Sequence, residues 1–342
     1  MRALMEQCLA GHELSRAEAF AVLQTMVLKP DPVQTAAFLG ALRAKGEAAE
    51  EVTGMAEALR ARMTPLSDCG AVVDTCGTGG DGAGTVNIST GAALLAAAAG
   101  ARVVKHGNRA VSGSCGSADV LAALGISIEL TPTQARACLA ATGFTFCYAP
   151  LYHPAMRAVA GVRRALGFRT VFNLLGPLCN PARPQAQLLG VASLEHLPLL
   201  AICLRNLGVK HALVVHTAGV DELAPTGVAL AREVRDGVIR SIVINPEEFG
   251  IPRCELRDLQ GGAATRNAQL LREAFHTGSG PIADAIALNA GYALYLHGTA
   301  ANPAAGIRLA YDTLRRGAAV TLVEAVAACS SRLVTEKATV LS

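Results

Sequence analysis

Apolar residues recur at helical spacing through the N-terminal part of the chain, where no alternating strand pattern occurs. Ser15 and Glu18 have the spacing of a capping box at the start of one helix. Asp31, followed by a proline, is placed to cap the next helix, and Gly46 is placed to end it. The pattern predicts a small helical domain over residues 1–67, too thin to bury all of its apolar surface alone.

From Ala71 onward, short runs rich in β-branched residues alternate with helical segments. The runs read AVVDT, ARVVKH, FTFCYA, QLLGVAS, HALVVHT and GVIRSIVI. This alternation predicts an α/β fold with a mostly parallel central sheet flanked by helices. A proline-bounded helical stretch at about 154–181 interrupts the alternation, and we expect it to complete the helical domain. The large α/β domain would then consist of residues 68–153 and 182–342.

Composition narrows the class of protein. The chain is 51% hydrophobic but only 4% aromatic, which suits a core of small aliphatic side chains between helices and a parallel sheet. A net charge of +3 is too small to predict a nucleic-acid surface. The ten cysteines form no C-x-x-C pair and have no accompanying histidine cluster, so we expect buried thiols in a reducing cytoplasm rather than a zinc site. No signal sequence is visible, and the longest apolar stretch noted, GAALLAAAAGA, is too short to span a membrane.

Two glycine-rich turns each follow a β-branched run and each precede an alanine- and leucine-rich helix. They are GTGGD at 77–81 and KHGNR at 105–109. Polar side chains follow both turns: Asn87, Ser89 and Thr90 after the first, and Ser112, Ser114 and Ser117 after the second. Glycine lets the backbone approach a phosphate, and a helix N-terminus attracts anions. The two turns predict a site for a ligand with more than one phosphate, although a glycine turn with an ordinary helix cap stays an alternative for the first.

Three further features are ambiguous when taken alone. Asp221 and Glu222 follow the strand HALVVHT, which places them to bind a metal ion such as Mg²⁺, or equally in a solvated turn. Arg163, next to Arg164, reads by itself as a solvated helical residue. His153 has no obvious carboxylate or nucleophile partner in the sequence.

Several long motifs resolve this ambiguity. GTGGD, NIST, KHGNRAVSGSCGSADVLAALG and YHPAMRAVAGVRRALGFRTVFNLLGPLCNPA closely resemble the anthranilate phosphoribosyltransferase family, over nearly the whole chain and in the family's order. The resemblance implies a fold of the nucleoside phosphorylase/phosphoribosyltransferase class II type. It implies transfer of the 5-phosphoribosyl group from phosphoribosyl pyrophosphate to the amine of anthranilate, with release of pyrophosphate, in tryptophan biosynthesis. It also implies Mg²⁺ as cofactor, small-molecule partners rather than nucleic acid or membrane, and a homodimer formed through the helical domain.

The resemblance further assigns the site residues. Phosphoribosyl pyrophosphate is expected at Gly77, Gly80, Asp81, Thr85, Asn87, Ile88, Ser89, Thr90, Lys105, His106, Gly107, Asn108, Arg109, Ala110, Val111, Ser112, Gly113 and Ser117. Anthranilate is expected at Gly77, Asn108, His153 and Arg163, and the metal ion at Ser89, Asp221 and Glu222. No catalytic nucleophile is expected, and Lys105 and Arg109 would stabilise the leaving pyrophosphate. The second turn departs from the family at Gly113, where a second serine is usual.

Two other functions stay open on the sequence. A pyrimidine nucleoside phosphorylase-like enzyme would use free phosphate and would not need the acidic pair. A non-enzymatic nucleic-acid-binding relative would need a basic stripe and a degraded metal site.

Overall fold

The computed structural model describes residues 1–110 and 115–340 of the chain. Its helices are α1 (Arg2–Leu9), α2 (Arg16–Leu28), α3 (Pro32–Lys45), α4 (Ala49–Arg60), α5 (Ile88–Ala98), α6 (Ser117–Ala123), α7 (Pro132–Thr142), α8 (Ala149–Tyr152), α9 (Arg157–Leu166), α10 (Phe172–Leu178), α11 (His196–Asn206), α12 (Ala264–Thr277), α13 (Pro281–His297), α14 (Pro303–Arg315) and α15 (Ala318–Val340). Its strands are β1 (Val73–Gly77), β2 (Val103–Gly107), β3 (Phe144–Tyr148), β4 (Ala186–Gly190), β5 (His211–Thr217), β6 (Ala229–Arg235) and β7 (Val238–Ile244).

The N-terminal helices start at the caps that the sequence predicts. The Ser15 hydroxyl accepts a hydrogen bond from the Glu18 N–H, and the Glu18 carboxylate accepts one from the Ser15 N–H at 2.8 Å. The Asp31 carboxylate accepts two main-chain N–H groups in the first turn of α3. Phe38 and Met55 are completely buried between these helices. The predicted capping box and N-cap are therefore confirmed.

The strands form one sheet in the order β3-β2-β1-β4-β5-β6-β7. The first five are parallel, and β6 and β7 add an antiparallel hairpin. All six predicted strands are present, and the prediction of a mostly parallel sheet flanked by helices is confirmed. Strand β6 was missed because charged residues interrupt its alternation. The turn at Asp236 and Gly237, whose φ angles are 50° and 82°, is the Asp-Gly hairpin signal that would have revealed it.

Successive residues of the central strands point to opposite faces of the sheet. Leu188 and Leu213 belong to a core that includes side chains of α5 and α13. Leu189 and Val214 belong to a second core, which includes side chains of α10 and α11. The second core also contains the buried side chains of α2, α3 and α4, so the helical bundle and one face of the sheet share a single apolar interior.

Three chain segments run side by side between the bundle and the sheet. The Thr64 N–H donates to the Tyr152 carbonyl at 2.8 Å, and the Leu66 N–H donates to the Pro181 carbonyl at 3.1 Å. Between Tyr152 and Pro181 the chain forms α9, which packs on α2 and α3, and α10, which packs on α4. These contacts fix the position of α9 and α10 relative to the N-terminal helices.

Among the described residues, one helical segment, Ala318–Glu336, is long enough and apolar enough on average to cross a membrane, although it contains charged residues. In this fold α15 packs on α5 and α7, with Val323 and Val326 buried. Its Ser330 hydroxyl accepts a hydrogen bond from the Ser127 N–H at 3.0 Å.

Candidate active site

The two glycine turns and the acidic pair meet at the carboxyl ends of β1, β2 and β5. The strand order reverses between β1 and β4, and ligands of open α/β sheets bind at such a switch point. Gly77, the last residue of β1, lies directly against Asp221, because a Cβ at that position would lie 2.4 Å from the Asp221 Oδ2. Only glycine therefore permits this close approach of turn and carboxylate.

Hydrogen bonds join the first turn, the acidic pair and the start of α5. The Asp221 Oδ2 accepts the Gly79 N–H at 2.6 Å, and the Asp221 N–H donates to the Asp81 Oδ2 at 3.1 Å. The Glu222 Oε1 accepts the Ser89 N–H at 3.2 Å. Asp221, Glu222 and Ser89, which were predicted to bind metal, are thus brought together, and Asp81 lies beside them.

This cluster concentrates negative charge in a buried place. Burial, followed by the charges of Glu222 and Asp81, raises the pKa of Asp221 well above its usual value. Burial raises the pKa of Glu222 to about 7 despite the opposing effect of Lys105. A divalent cation would compensate these charges. Carboxylate and hydroxyl oxygens of this kind are the ligands that Mg²⁺ prefers, usually together with several water molecules.

Lys105 supplies a buried positive charge beneath both turns. Its ammonium group donates to a main-chain carbonyl of β1 and to the Ser89 hydroxyl, the latter at 3.2 Å. Asp74 is completely buried nearby, and its Oδ2 accepts the Asn180 Nδ2 at 2.9 Å. Burial raises the pKa of Asp74 to about 6, and the charge of Lys105 opposes that shift. The ammonium group is therefore held at the start of α5.

The second turn is fixed by Asp119. Its Oδ1 accepts the Arg109 Nη1 at 2.8 Å, and its Oδ2 accepts the N–H groups of Ala110 and Gly116. Asp119 thus caps the first turn of α6. The Arg109 side chain is half exposed and lies over the Tyr148 ring at 6.0 Å, so part of its charge is compensated before any ligand binds.

The predicted contacts at Val111, Ser112 and Gly113, and the neighbouring Ser114, lie outside the described residues. The departure from the family at Gly113 therefore stays a sequence observation. Ser117 is described, and its hydroxyl donates to the Asn108 carbonyl at 3.4 Å.

The remaining residues predicted to bind phosphoribosyl pyrophosphate differ in their hydrogen bonds and burial. The Asn87 side chain links the start of α5 to the segment before α6 and to α12, because it donates to the Cys115 carbonyl and accepts from the Asn267 amide at 2.8 Å. Ile88 is completely buried in the core, and its N–H is directed at the Val86 carbonyl.

Two threonines complete the first turn and the helix after it. Thr85 pairs with Gln260 in an isolated β-bridge. The Thr90 hydroxyl is buried and has no hydrogen-bond partner within the described part of the chain. A buried polar group without a partner is costly, so the Thr90 hydroxyl is available to a ligand or a water molecule.

A cavity of about 410 Å³ opens beside the turns. Its volume lies in the usual range for small-molecule sites. Apolar side chains from both domains line it: Leu59, Ala149, Pro150, Met156, Phe172, Leu175 and Pro177. All four residues predicted to bind anthranilate also line it: Gly77, Asn108, His153 and Arg163.

Arg163 brings an uncompensated positive charge to this cavity. Within the described residues, no carboxylate lies within 4.0 Å of its guanidinium, which stacks over the Phe172 ring at 5.1 Å. Burial lowers its pKa. A partly buried guanidinium at an apolar wall is stabilised most by a planar carboxylate, which it binds in a bidentate pair.

Two neutral imidazoles line the same cavity. The rings of His106 and His153 are 5.0 Å apart, and neither Nε2 atom has a hydrogen-bond partner in the described chain. Burial lowers the pKa of His106 to about 3 and that of His153 to about 4. Both rings are therefore uncharged at neutral pH and each can exchange a hydrogen bond with a polar group of a ligand.

Acid is expected to destabilise the fold through these rings. Between pH 6.5 and about 4 the unfolded chain binds a proton at His153 while the folded chain does not, so stability present above pH 6.5 is lost as the pH falls. We expect the wild type to lose about 1–2 kcal/mol more than His153→Gln between pH 7 and pH 5. Urea unfolding of the ligand-free protein at both pH values measures this difference. His276→Gln, at an exposed position, is the control, and equal losses in wild type and His153→Gln would contradict the assignment.

Two residues that stabilise the site without belonging to the turns, Asp74 and Arg169, were not predicted from the sequence. Asp74 was visible as an acidic residue inside a β-branched run, which is a signal for a buried, specifically paired carboxylate. Arg169 donates to the carbonyls of Thr78 and Gly79, which lie about ninety positions earlier in the chain. No local pattern could have revealed that contact.

Comparison with known proteins agrees with this arrangement. Residues 69–320 match the model of the glycosyl transferase family a/b domain, and residues 2–63 match that of its helical bundle domain. The chain is 47% identical to the anthranilate phosphoribosyltransferase of Anaeromyxobacter sp. (strain Fw109-5), covering 92% of this chain and 94% of the relative.

Solved structures of this family have the same fold as this chain. The anthranilate phosphoribosyltransferase of Thermus thermophilus superimposes with a TM-score of 0.90 at 42% identity, covering 96% of this chain and 99% of that one. The enzyme of Saccharomyces cerevisiae in complex with PRPP and Mg superimposes with a TM-score of 0.86 at 27% identity, covering 96% and 97%. The same yeast enzyme has also been solved with 4-fluoroanthranilate.

Proposed function

Because this chain belongs to the anthranilate phosphoribosyltransferase family, we propose that its two turns and its apolar cavity bind the two substrates of that reaction side by side. The reaction transfers the 5-phosphoribosyl group from phosphoribosyl pyrophosphate to the anthranilate amine and releases pyrophosphate, a step of tryptophan biosynthesis. One observation supports placing anthranilate in the cavity and phosphoribosyl pyrophosphate at the turns. In the described chain the guanidinium of Arg163 has no carboxylate partner, and it lies in the apolar cavity next to the turns.

The donor side is proposed to consist of the two turns and the start of α5. Main-chain N–H groups of the first turn, the α5 N-terminus and the Thr90 hydroxyl are suited to pyrophosphate oxygens. Lys105 lies beneath them with its charge buried, and Arg109 extends from the second turn. Their charges would stabilise the pyrophosphate as it leaves.

Mg²⁺ is proposed as the cofactor, held by Asp221 and Glu222 with the Ser89 hydroxyl beside them. The oxygen-rich donor set and the raised pKa values of the two carboxyl groups support this assignment. When bound, the ion would supply positive charge to the pyrophosphate group. The protein's part is to hold the two carboxylates at the end of β5, where Gly79 and Ser89 N–H groups orient them.

The acceptor side is proposed to be the 410 Å³ cavity. Arg163 would bind the anthranilate carboxylate, while Phe172 and the other apolar side chains contact the ring. Asn108, Gly77 and His153 would surround the amine and the edge of the ring. An aromatic amine is already a nucleophile, so catalysis would rest on holding it close to the anomeric carbon and on stabilising the leaving group, without a covalent enzyme intermediate.

The domain boundaries are also part of the proposal. Residues 1–67 and about 154–181 would form the helical domain, and residues 68–153 with 182–342 the α/β domain. The paired crossings at Thr64–Tyr152 and Leu66–Pro181 support this division. With this division, each of the two domains contributes residues that line the cleft.

A cytoplasmic homodimer is proposed as the working form. Large apolar side chains exposed on the N-terminal helices, Leu9, Leu28 and Val33, support association through the helical domain. Sedimentation of the purified chain would test this, and a mass of one 35.1 kDa chain would contradict it. Ten free cysteines support a reducing compartment, and both substrates are small molecules rather than nucleic acid or membrane.

Loss of anthranilate fluorescence tests the proposed function. We expect the purified chain to consume anthranilate only when phosphoribosyl pyrophosphate and Mg²⁺ are both present. Thymidine or uridine with inorganic phosphate, the substrates of the phosphorylase alternative, should not be cleaved. Cleavage of those nucleosides without consumption of anthranilate would reverse the proposal.

A further inference from the structure

Arg169 lies where the acceptor side of the cleft touches the donor side. It stands between α9, which carries Arg163, and α10, which carries Phe172, and both of those residues line the acceptor cavity. Its side chain extends from this segment to the first glycine turn. There Nη2 donates to the Thr78 carbonyl at 3.2 Å, and Nη1 donates to the Gly79 carbonyl.

These two hydrogen bonds set the direction of two peptide groups. In a trans peptide the C=O and the N–H point in opposite directions, so a carbonyl held on one side turns the N–H to the other. The peptide whose carbonyl belongs to Thr78 directs its N–H, that of Gly79, to the Asp221 Oδ2 at 2.6 Å. The next peptide has its Gly79 carbonyl on Arg169, so its N–H, that of Gly80, points away from the guanidinium.

The Gly80 N–H has no hydrogen-bond acceptor within the described residues. Gly79 and Gly80 have φ angles of 66° and 74°, a conformation that successive glycines adopt without strain. Consecutive N–H groups in such a turn form a concave site for an anion. A free Gly80 N–H beside Asp221 is therefore placed for a pyrophosphate oxygen.

Arg169 also occupies the space that a side chain at position 80 would need. A Cβ on Gly80 would lie 1.8 Å from the Arg169 Nη1. Glu47 and Glu195 line a small cavity of about 180 Å³ together with Arg169. Neither carboxylate lies within 4.0 Å of the guanidinium in the described chain, so its strongest partners are the two carbonyls of the turn.

We propose that Arg169 is a positioning residue for the donor: it holds the first turn so that the Gly79 N–H orients Asp221 and the Gly80 N–H receives a pyrophosphate oxygen. The inference rests on the proposed function of the turn as the pyrophosphate site. Arg169 does not touch the reacting atoms. Because it is anchored between two acceptor-lining helices, it also ties the position of the donor turn to the acceptor side.

Steady-state kinetics with both substrates varied provide the test. We expect Arg169→Ala to lower kcat/KM for phosphoribosyl pyrophosphate about 10- to 100-fold, mainly through KM. The KM for anthranilate should change less than about twofold, because Arg163 and the cavity wall are retained. Arg169→Lys should fall between wild type and alanine, since one ammonium group replaces the fixed fork of two donors. Guanidinium ion added at millimolar concentration should restore part of the donor affinity of Arg169→Ala.

Arg164→Ala is the matched control, because Arg164 is exposed on the same segment. It should match the wild type in both KM values. An unchanged KM for phosphoribosyl pyrophosphate in Arg169→Ala would overturn the proposal. So would a parallel rise in both KM values with a lower unfolding temperature and no rescue by guanidinium, which is the behaviour of a purely structural residue. If the alanine variant does not fold, the same two criteria apply to Arg169→Lys. A wild-type chain that consumes no anthranilate would instead contradict the proposed function, before any variant is made.

Discussion

Arg163→Ala is expected to lower kcat/KM for anthranilate by about 100-fold, the loss typical of a charge-assisted hydrogen-bonded pair in a partly buried site. The guanidinium stacks on Phe172 and, in the described chain, has no carboxylate partner of its own. Its removal therefore leaves the substrate carboxylate unpaired at an apolar wall. The KM for phosphoribosyl pyrophosphate should stay within about twofold, because the donor turns do not depend on this side chain.

A second acceptor separates a lost carboxylate contact from general damage. Aniline has the amine of anthranilate but not the carboxylate, so the wild type should strongly prefer anthranilate and Arg163→Ala should lose most of that preference. Arg164→Ala, at the exposed neighbouring position, should keep it. An Arg163→Ala enzyme that retains the wild-type preference would remove Arg163 from the acceptor site.

Asp221→Asn is expected to have opposite effects on activity and on stability. Activity at saturating substrate should fall at least about 100-fold, because the carboxylate proposed to hold Mg²⁺ loses its charge. The metal-free fold should become more stable, because asparagine avoids the cost of burying an ionisable carboxyl beside Asp81 and Glu222, where its pKa is raised. The Asn oxygen can still accept the Gly79 N–H, so the turn need not rearrange.

Activity over a range of Mg²⁺ concentrations and urea unfolding in the presence of a chelator measure the two effects. Glu248→Gln, which removes an exposed carboxylate, should change neither. Loss of activity together with loss of stability would indicate that Asp221 supports the fold rather than the metal ion. Full activity in Asp221→Asn would contradict the metal assignment.

Most of the fold was predictable because its signals are local. The capping box at Ser15, the N-cap at Asp31 and the β-branched runs are each set by neighbouring residues. Strand β6 was missed because it is half exposed and carries charges, so its alternation is weak. The thinness of the helical bundle indicated that it packs on a partner copy or on the second domain. That it shares an apolar interior with one face of the sheet depends on packing between distant segments.

The site also contains residues that were recognisable from the sequence and residues that were not. The glycine turns and the acidic pair were visible because strand ends, glycines and carboxylates are read directly from the chain. Arg163 reads as a surface residue until the cavity places it over Phe172, and its assignment required the family resemblance. Arg169 acts through contacts with carbonyls of a distant turn, so no periodicity or motif points to its role. Asp74 could be recognised as an acidic residue inside a β-branched run, but its pairing with Asn180 depends on the folded chain.

Product analysis by liquid chromatography and mass spectrometry tests the central claim most directly. Wild-type chain incubated with anthranilate, phosphoribosyl pyrophosphate and Mg²⁺ should form N-(5-phosphoribosyl)anthranilate and pyrophosphate in equal amounts, with no phosphoribosylated protein. Absence of that product, or a covalent phosphoribosyl adduct on the chain, would contradict direct transfer between the two sides of this cleft.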